Sequence, residues 1–318
     1  MNAGLINKLP RVSDWRFGGF TAMEYQVLQH TGQWKAFLPN NEKQHAIEQW
    51  KFDSQGCVSF SALNCLEIMF KKRYGRSINF SDRFLAKVSG TTTRGNWLYR
   101  VADAIREYGV VNEVEWLFNP VDQDGDGDFD WDDFYKEIPE EILRKGKASL
   151  EFYDFHYEWV DITSAIDKMY ALRFSPLQIT VPYPSQRDAI NGIIHTDKWQ
   201  SNHALTLVGY KEGKYWLVFD HYAPFTKKLA WDYPIDKMAM RFNIKEKTMK
   251  KPNLKQNALV FEAEGAGRAG LFIDDKIVVD DLAKILMQYE IRNKGEHNTV
   301  NITTAQFDLF EHVDFKSV

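Results

Sequence analysis

Three short blocks, far apart along the chain, constrain it most. Cys57-Val58-Ser59-Phe60-Ser61-Ala62 opens an apolar run directly after Gly56. Asn202-His203-Ala204 follows 146 residues after the cysteine, and Asp220 comes later still, in Phe219-Asp220-His221-Tyr222. A nucleophile, a base and a base-orienting carboxylate therefore occur in that order. A thiol needs such neighbours because the thiolate is the reactive form, and a helix N-terminus or a paired imidazole stabilises it. A chain that uses these three residues together must fold so that a helix end meets the ends of two strands.

Local pattern agrees with that demand. From Cys57 to about Tyr74, the apolar residues Phe60, Leu63, Leu66, Met69 and Phe70 recur near helical spacing. The run is apolar on nearly all sides, which predicts a buried helix. Asp82 to Val88 and Asn96 to Tyr108 read as further helices, the second ending at Gly109. Leu177–Val181, Ala204–Val208 and Tyr215–Phe219 read as buried strands. Residues 1–48 are rich in aromatics without clear periodicity and are expected to form an arm packed on the main body, residues 49–248. Around Pro252, the basic run Lys245 to Lys255 reads as a solvated boundary. Beyond it, residues 256–318 read as a small C-terminal α/β module. It has strands at Ala258–Phe261 and Leu271–Val279, a turn at Asp274-Asp275, a helix capped by Asp281, and a T-x-x-Q capping box at Thr303 to Gln306.

The blocks together resemble the papain family of cysteine peptidases. Cys57-Val58-Ser59-Phe60-Ser61-Ala62 with Leu66-Glu67 is similar to that family's active-site helix. Asn202-His203-Ala204 with Val208-Gly209-Tyr210 is similar to its histidine strand, and Asp220 stands where the family has an orienting Asn. The Cys-to-His separation falls in the roughly 130–150 residue range of that type. The resemblance covers about residues 50–225 and implies an α+β, two-lobed fold: a helical lobe bearing Cys57 and a barrel-like antiparallel sheet lobe bearing His203 and Asp220. It implies an acyl-enzyme reaction in which Cys57 attacks a carbonyl, His203 carries the proton and Asp220 fixes the imidazole tautomer. A carboxylate in that place stabilises an imidazolium more than a neutral amide does.

There are departures from the family pattern. The oxyanion-hole Gln six residues before the family's Cys is missing; the shortened loop offers Gln55, with Gln49 in reserve. Val58 replaces a Trp, and Tyr222 replaces the Trp that shields the His–Asn pair. The alternative reading is a papain fold that has lost catalysis and serves as a binding or structural, virion-associated part. The helix also resembles those of papain-like proteins of bacteriophages.

A second motif stands apart from these blocks. Residues 122–133 place Asp122, Asp124, Asp126, Asp128, Asp130 and Asp133 at positions 1, 3, 5, 7, 9 and 12 of a twelve-residue loop, with Gly127 at position 6. This resembles an EF-hand calcium loop, whose hard cation takes six to eight oxygens. Asp rather than Glu at position 12 shortens the reach, and Asn119-Pro120 stands where an incoming helix should finish. The expected role of Ca2+ here is structural, inserted into the papain-like domain.

Other signals point to ordinary roles. Gly265 to Gly270 satisfies G-x-G-x-x-G, but strand-like Leu271-Phe272-Ile273 follows where a dinucleotide fingerprint needs a helix. Cys65 reads as a core thiol and His195 as a surface residue. A metal site made of His203 and His221 has poor ligand spacing in sequence. If Cys57 and Cys65 share one helix, they lie about 12 Å apart, beyond the roughly 7 Å a disulfide allows. A net charge of −4 argues against nucleic-acid binding. No apolar run reaches membrane-spanning or signal-peptide length. The expected setting is cytoplasmic or virion-associated, with a peptide or protein substrate and an assembly partner for the C-terminal module.

Overall fold

The computed structural model describes residues 4–6, 10, 14–17, 26–42, 52–117, 130–247, 254–262, 268–274, 276–280, 282–293, 297–302, 307 and 311–313. Asp122, Asp124, Asp126, Asp128, Gln49, Asp281 and Thr303 to Gln306 lie outside the described residues. The chain divides into two compact units, Met1–Lys245 and Glu246–Val318.

The larger unit is α+β. Its first helix, α1 (Cys57–Tyr74), is buried from Cys57 through Phe70, as an all-round apolar sequence requires. It stops at Gly75, whose φ of 65° suits glycine and whose N–H caps the Lys71 carbonyl. Around α1 pack α2 (Asp82–Val88) and α3 (Leu98–Tyr108). Ser81 caps α2 by accepting from the Phe84 N–H. The α3 helix begins two residues later than its sequence suggests. Asn96 is held outside it, its amide donating to Ser89 and Thr91 oxygens and its backbone used for another pairing.

The sheet half has eight strands: β1 (Tyr153–Asp161), β2 (Leu177–Val181), β3 (Ala189–Ile190), β4 (Ile193–Ile194), β5 (His203–Lys211), β6 (Tyr215–Phe219), β7 (Thr226–Ala230) and β8 (Met238–Glu246). Their order is β1-β8-β2-β5-β6-β7-β4-β3. The central ladders are antiparallel: β5 pairs with β2 through Val181 opposite His203, and with β6 through Thr206 opposite Phe219. Among the described residues this unit has three further α-helices: α4 (Trp131–Phe134), α5 (Glu140–Phe152) and α6 (Ala165–Ala171). The sequence reading does not place strands β1, β3, β4, β7 and β8 or helices α4, α5 and α6. β7 reads Thr-Lys-Lys-Leu-Ala, and its two lysines disguise the alternation of buried Lys227 and Leu229 with exposed Thr226 and Lys228.

Helix α1 lies on β5 and β2, and buried polar groups fix the contact. The Gln178 amide on β2 donates to the Val58 carbonyl and to Ser61 Oγ, both at 2.8 Å. Thr206 on β5 donates to the Ser61 carbonyl at 3.1 Å. In a low-dielectric core such bonds specify position, because leaving any partner unmet is costly. Part of the preceding chain belongs to this unit: Trp34 is wholly buried, donates to the Leu172 carbonyl, and its backbone N–H bonds to Val208 on β5.

The smaller unit carries a five-stranded sheet in the order β12-β9-β10-β11-β13, with β9 Leu259–Glu262, β10 Ala269–Ile273, β11 Lys276–Val278, β12 Thr299–Ile302 and β13 Glu311–Val313. Alternate residues feed two cores. Leu259, Leu271, Ile273 and Val278 pack with Ile285 and Tyr289 of α7 (Leu282–Asn293), while Val260, Phe272 and Ile277 pack with Leu254 and Phe307. Ala269 opens β10, so the last two residues of the glycine motif at 265–270 are already strand, and no helix opens there.

Candidate active site

Cys57 is the first residue of α1, and Gly56 makes no side-chain cap to the helix. The first-turn N–H groups of a helix have no intrahelical acceptor, so this end presents donors and positive potential to the cysteine. His203 opens β5 and Asp220 directly follows β6. Because these strands are antiparallel neighbours, the start of one and the end of the other fall at the same edge of the sheet. The tie from Gln178 and Thr206 to α1 brings the helix end to that edge.

The resulting cluster is compact and dry. Cys57, His203 and Asp220 are each fully buried. His203 Nε2 lies 2.7 Å from Asp220 Oδ1, and Nδ1, elsewhere on the ring, is buried with no hydrogen-bond partner. The backbone N–H groups of Ala204, next to His203, and of Val58 lie within hydrogen-bonding reach of the Cys57 sulfur. Three aromatic rings surround the imidazole at 5.4–5.5 Å: Tyr183, His221 and Tyr222. Tyr222 thus occupies the shielding position expected of it, and its hydroxyl donates to Asp53.

Burial sets the protonation pattern. It pushes the Cys57 thiol well above its ordinary value; the two backbone donors oppose this, while Asp53 and Asp220 add to it. Burial alone would raise Asp220 as well, but His203, Lys227 and His221 together hold its carboxyl well below the usual carboxylate range. Burial pulls His221 down to about 3, so this second imidazole is neutral. Its Nε2 lies 3.1 Å from the Ala204 carbonyl, which can only accept, so Nε2 carries the proton.

Asp220 has more partners than the sequence revealed. Lys227 Nζ lies 2.5 Å from Asp220 Oδ2 and 2.6 Å from the Tyr222 carbonyl, and the His221 backbone N–H donates to Oδ1 at 2.7 Å. The carboxylate therefore does not act on His203 alone. Sequence offered no signal for this lysine, because it is one of two adjacent lysines and only the strand burial pattern turns it inward. The structure also gathers His203, Asp220 and His221, whose ligand atoms lie within 4.8 Å of one another. Sequence spacing had spoken against such a grouping. Both Nε2 atoms and both Asp220 oxygens already have protein partners, including the Lys227 ammonium, while Nδ1 of each imidazole is buried without one.

Gln55 stands on the loop into Cys57 with φ of 52°, its N–H bonded to Asp53 and its side-chain oxygen buried without a partner. Residues 4–6 run against this loop. The Ile6 N–H bonds to the Asn96 carbonyl at 2.8 Å, and the Asn96 N–H bonds to the Gly4 carbonyl at 2.9 Å. Gly4 and Gly95 allow this close passage: a Cβ on Gly4 would sit 2.2 Å from the Gln55 oxygen, and one on Gly95 would sit 1.8 Å from the Gly4 oxygen. Cys65 is a buried free thiol and His195 is exposed. Of the acidic loop, Asp130 and Asp133 are described. Asp130 caps α4 by accepting from the Asp132 and Asp133 N–H groups, and buried Asp133 accepts from the Asp130 N–H.

No family model matches the chain, and no curated protein matches it. Solved structures similar to it include cysteine proteases and their precursors. Digestive procathepsin L 3 of Tenebrio molitor larval midgut is 15% identical, with a TM-score of 0.49 over 76% of this chain and 75% of that one. A ragweed pollen cysteine protease in its proform is 14% identical, with a TM-score of 0.46 over 70% and 67%. The bromelain protease of Ananas comosus is 15% identical, with a TM-score of 0.46 over 66% and 97%. At that distance, the reading of the site rests on its own residues.

Proposed function

We propose that the chain is a cysteine peptidase or amide hydrolase of the papain type, acting on a peptide or protein substrate through an acyl-enzyme. The observation that carries this is the polarity of His203. Nε2 is committed to Asp220 and Nδ1 has no hydrogen-bond partner, while the N–H of the next residue, Ala204, reaches the sulfur of Cys57 at a helix N-terminus. In the reaction, Nδ1 takes the Cys57 proton and the sulfur attacks the carbonyl carbon. The resulting oxyanion is held by first-turn N–H groups of α1, with the Gln55 amide as the side-chain candidate. The imidazolium gives its proton to the leaving amine, leaving a thioester. Water then attacks the thioester, losing its proton to Nδ1, and the carboxylic acid departs as the thiol is restored.

The complete burial of the trio favours a second reading, a silent fold of the same type used for binding. Iodoacetamide labelling near neutral pH, with the adduct located by mass, separates the two. Faster labelling at Cys57 than at a free thiol, lost in His203→Ala, supports the enzyme. Labelling no faster than a free thiol leaves the silent scaffold.

We also propose that residues 122–133 bind calcium as a structural staple. Support comes from the donor spacing in sequence and from α4 opening at position 10 of the loop, directly after Asp130. In this reading, Asp122, Asp124, Asp126, Asp130 and Asp133 supply carboxylate oxygens and Asp128 a backbone carbonyl.

A further inference from the structure

The Lys227 ammonium is 1% exposed, its Nζ lies 2.5 Å from Asp220 Oδ2, and its second bond, to the Tyr222 carbonyl, holds it there. The other carboxylate oxygen, Oδ1, serves His203 and the His221 N–H. The two oxygens are thus divided, one against a fixed cation and one against the imidazole. We infer that Lys227 is a positioning residue for the Cys57–His203 pair: by closing a charge-neutral Asp220–Lys227 unit, it lets a carboxylate orient His203 with the electrostatics of an uncharged amide. This rests on the reading of His203 as the proton acceptor for Cys57.

Buried charges are kept only when paired, because desolvation costs more than a lone interaction returns. Both partners here are inside the protein, so their mutual cancellation is felt across a dry site where Coulomb interactions are strong. The other titratable groups facing the trio are Asp53 on the loop before α1, Tyr135 at the end of α4, Tyr183 beyond β2, His221 and Tyr222 beyond β6, and Tyr233 beyond β7. Among these and Lys227, burial keeps His221 neutral and also lowers the lysine, but the contact with Asp220 opposes that lowering, so the lysine is the group placed to balance the carboxylate. Removing it leaves the Asp220 charge unbalanced next to the sulfur, while removing the carboxylate leaves the cation unbalanced. The two losses have opposite signs, and losing both restores neutrality.

The test is the pH profile of iodoacetamide labelling at Cys57, followed by mass, in the full chain and in Lys227→Met, Asp220→Asn and the double variant, with circular dichroism checking the fold. Lys227→Met should move the midpoint up by about one pH unit, Asp220→Asn should move it down by about as much, and the double variant should return near the parent. A purely structural role would not give shifts of opposite sign that cancel. Each single variant is compared with the double, so one that fails to fold leaves the other comparison intact. Profiles that stay still, single variants that shift in the same direction, or a double variant that stays displaced would overturn the inference. The absolute labelling rate of the parent judges the enzyme reading separately: a slow thiol whose midpoint moves as described would refute the enzyme and keep the charge balance.

Discussion

His203 Nε2 and Asp220 Oδ1 lie 2.7 Å apart with neither side chain open to solvent, although 17 residues and a strand reversal separate them in sequence. The bond exists because β5 begins where β6 ends, and it survives burial because every charge in it has a partner. Removing the carboxylate therefore does more than free an imidazole. Asp220→Ala strands the Lys227 ammonium inside the protein, and breaking a buried pair in this way costs about 3–5 kcal/mol. Urea unfolding should show that loss. Asp220→Asn, which keeps an oxygen for His203, should lose less. Equal losses would mean that the imidazole contact contributes nothing to stability.

His221 gives the fold a defined acid sensitivity. Its pKa falls from the ordinary 6.5 to about 3 on folding, chiefly through burial. Below pH 6.5 the unfolded chain takes up a proton that the folded chain refuses until about pH 3, so stability falls as pH drops through that window. Between pH 7 and pH 5 this one group should remove about 2 kcal/mol. Asp220 shifts the other way. Its depressed folded value contributes stability that is lost only below the ordinary carboxylate range near pH 4, outside the interval. Urea midpoints of the parent and of His221→Gln at pH 7 and pH 5 read the difference; the variant should lose less stability than the parent over that step. Parallel losses would show that His221 is not the group responsible.

For calcium, the expected result is a binding isotherm by calorimetry, absent in Asp122→Ala and Asp126→Ala, which remove two of the early carboxylates. Asp133→Ala should also weaken binding, since position 12 is the last oxygen donor. No heat at calcium on the order of 1 mM would end the proposal.

The parts of the site visible in the sequence were those carried by local pattern. Cys57 opens a run apolar on all faces, and only a buried helix accommodates such a run. His203 and Asp220 begin or follow strands written in β-branched and aromatic residues. What stayed hidden was set by tertiary pairing. Lys227 looks like one of two solvated lysines in β7, and only strand register turns it inward. His221 reads as a spare histidine because its bond to the Ala204 carbonyl crosses between chain segments. Asn96 has the look of a helix start, yet its amide is spent on Ser89 and Thr91 and its backbone on residues 4–6. A chain segment running beside a reactive loop leaves no periodic signature, so nothing in the first residues announced where they go.

That segment carries the last prediction. Gly4 has φ of +93°, and its backbone passes so close to Gln55 that a Cβ would fall 2.2 Å from the carbonyl oxygen. Leu5 is buried behind it, and the bonds to Asn96 hold the path. Gly4→Ala cannot keep this geometry, because backbone strain and the contact with Gln55 both oppose it. Strain of about 1–3 kcal/mol converts to roughly five- to 140-fold more of the displaced state, at about 1.4 kcal/mol per factor of ten. If residues 4–6 are what shuts the site, iodoacetamide should label Cys57 at least about fivefold faster in this variant. Cys65, equally buried eight residues further along the same helix, is the internal control and should label no faster than in the parent. A parallel rise at both thiols would mean that the whole unit had loosened. No rise at Cys57 would mean that something other than this segment keeps the sulfur from solvent.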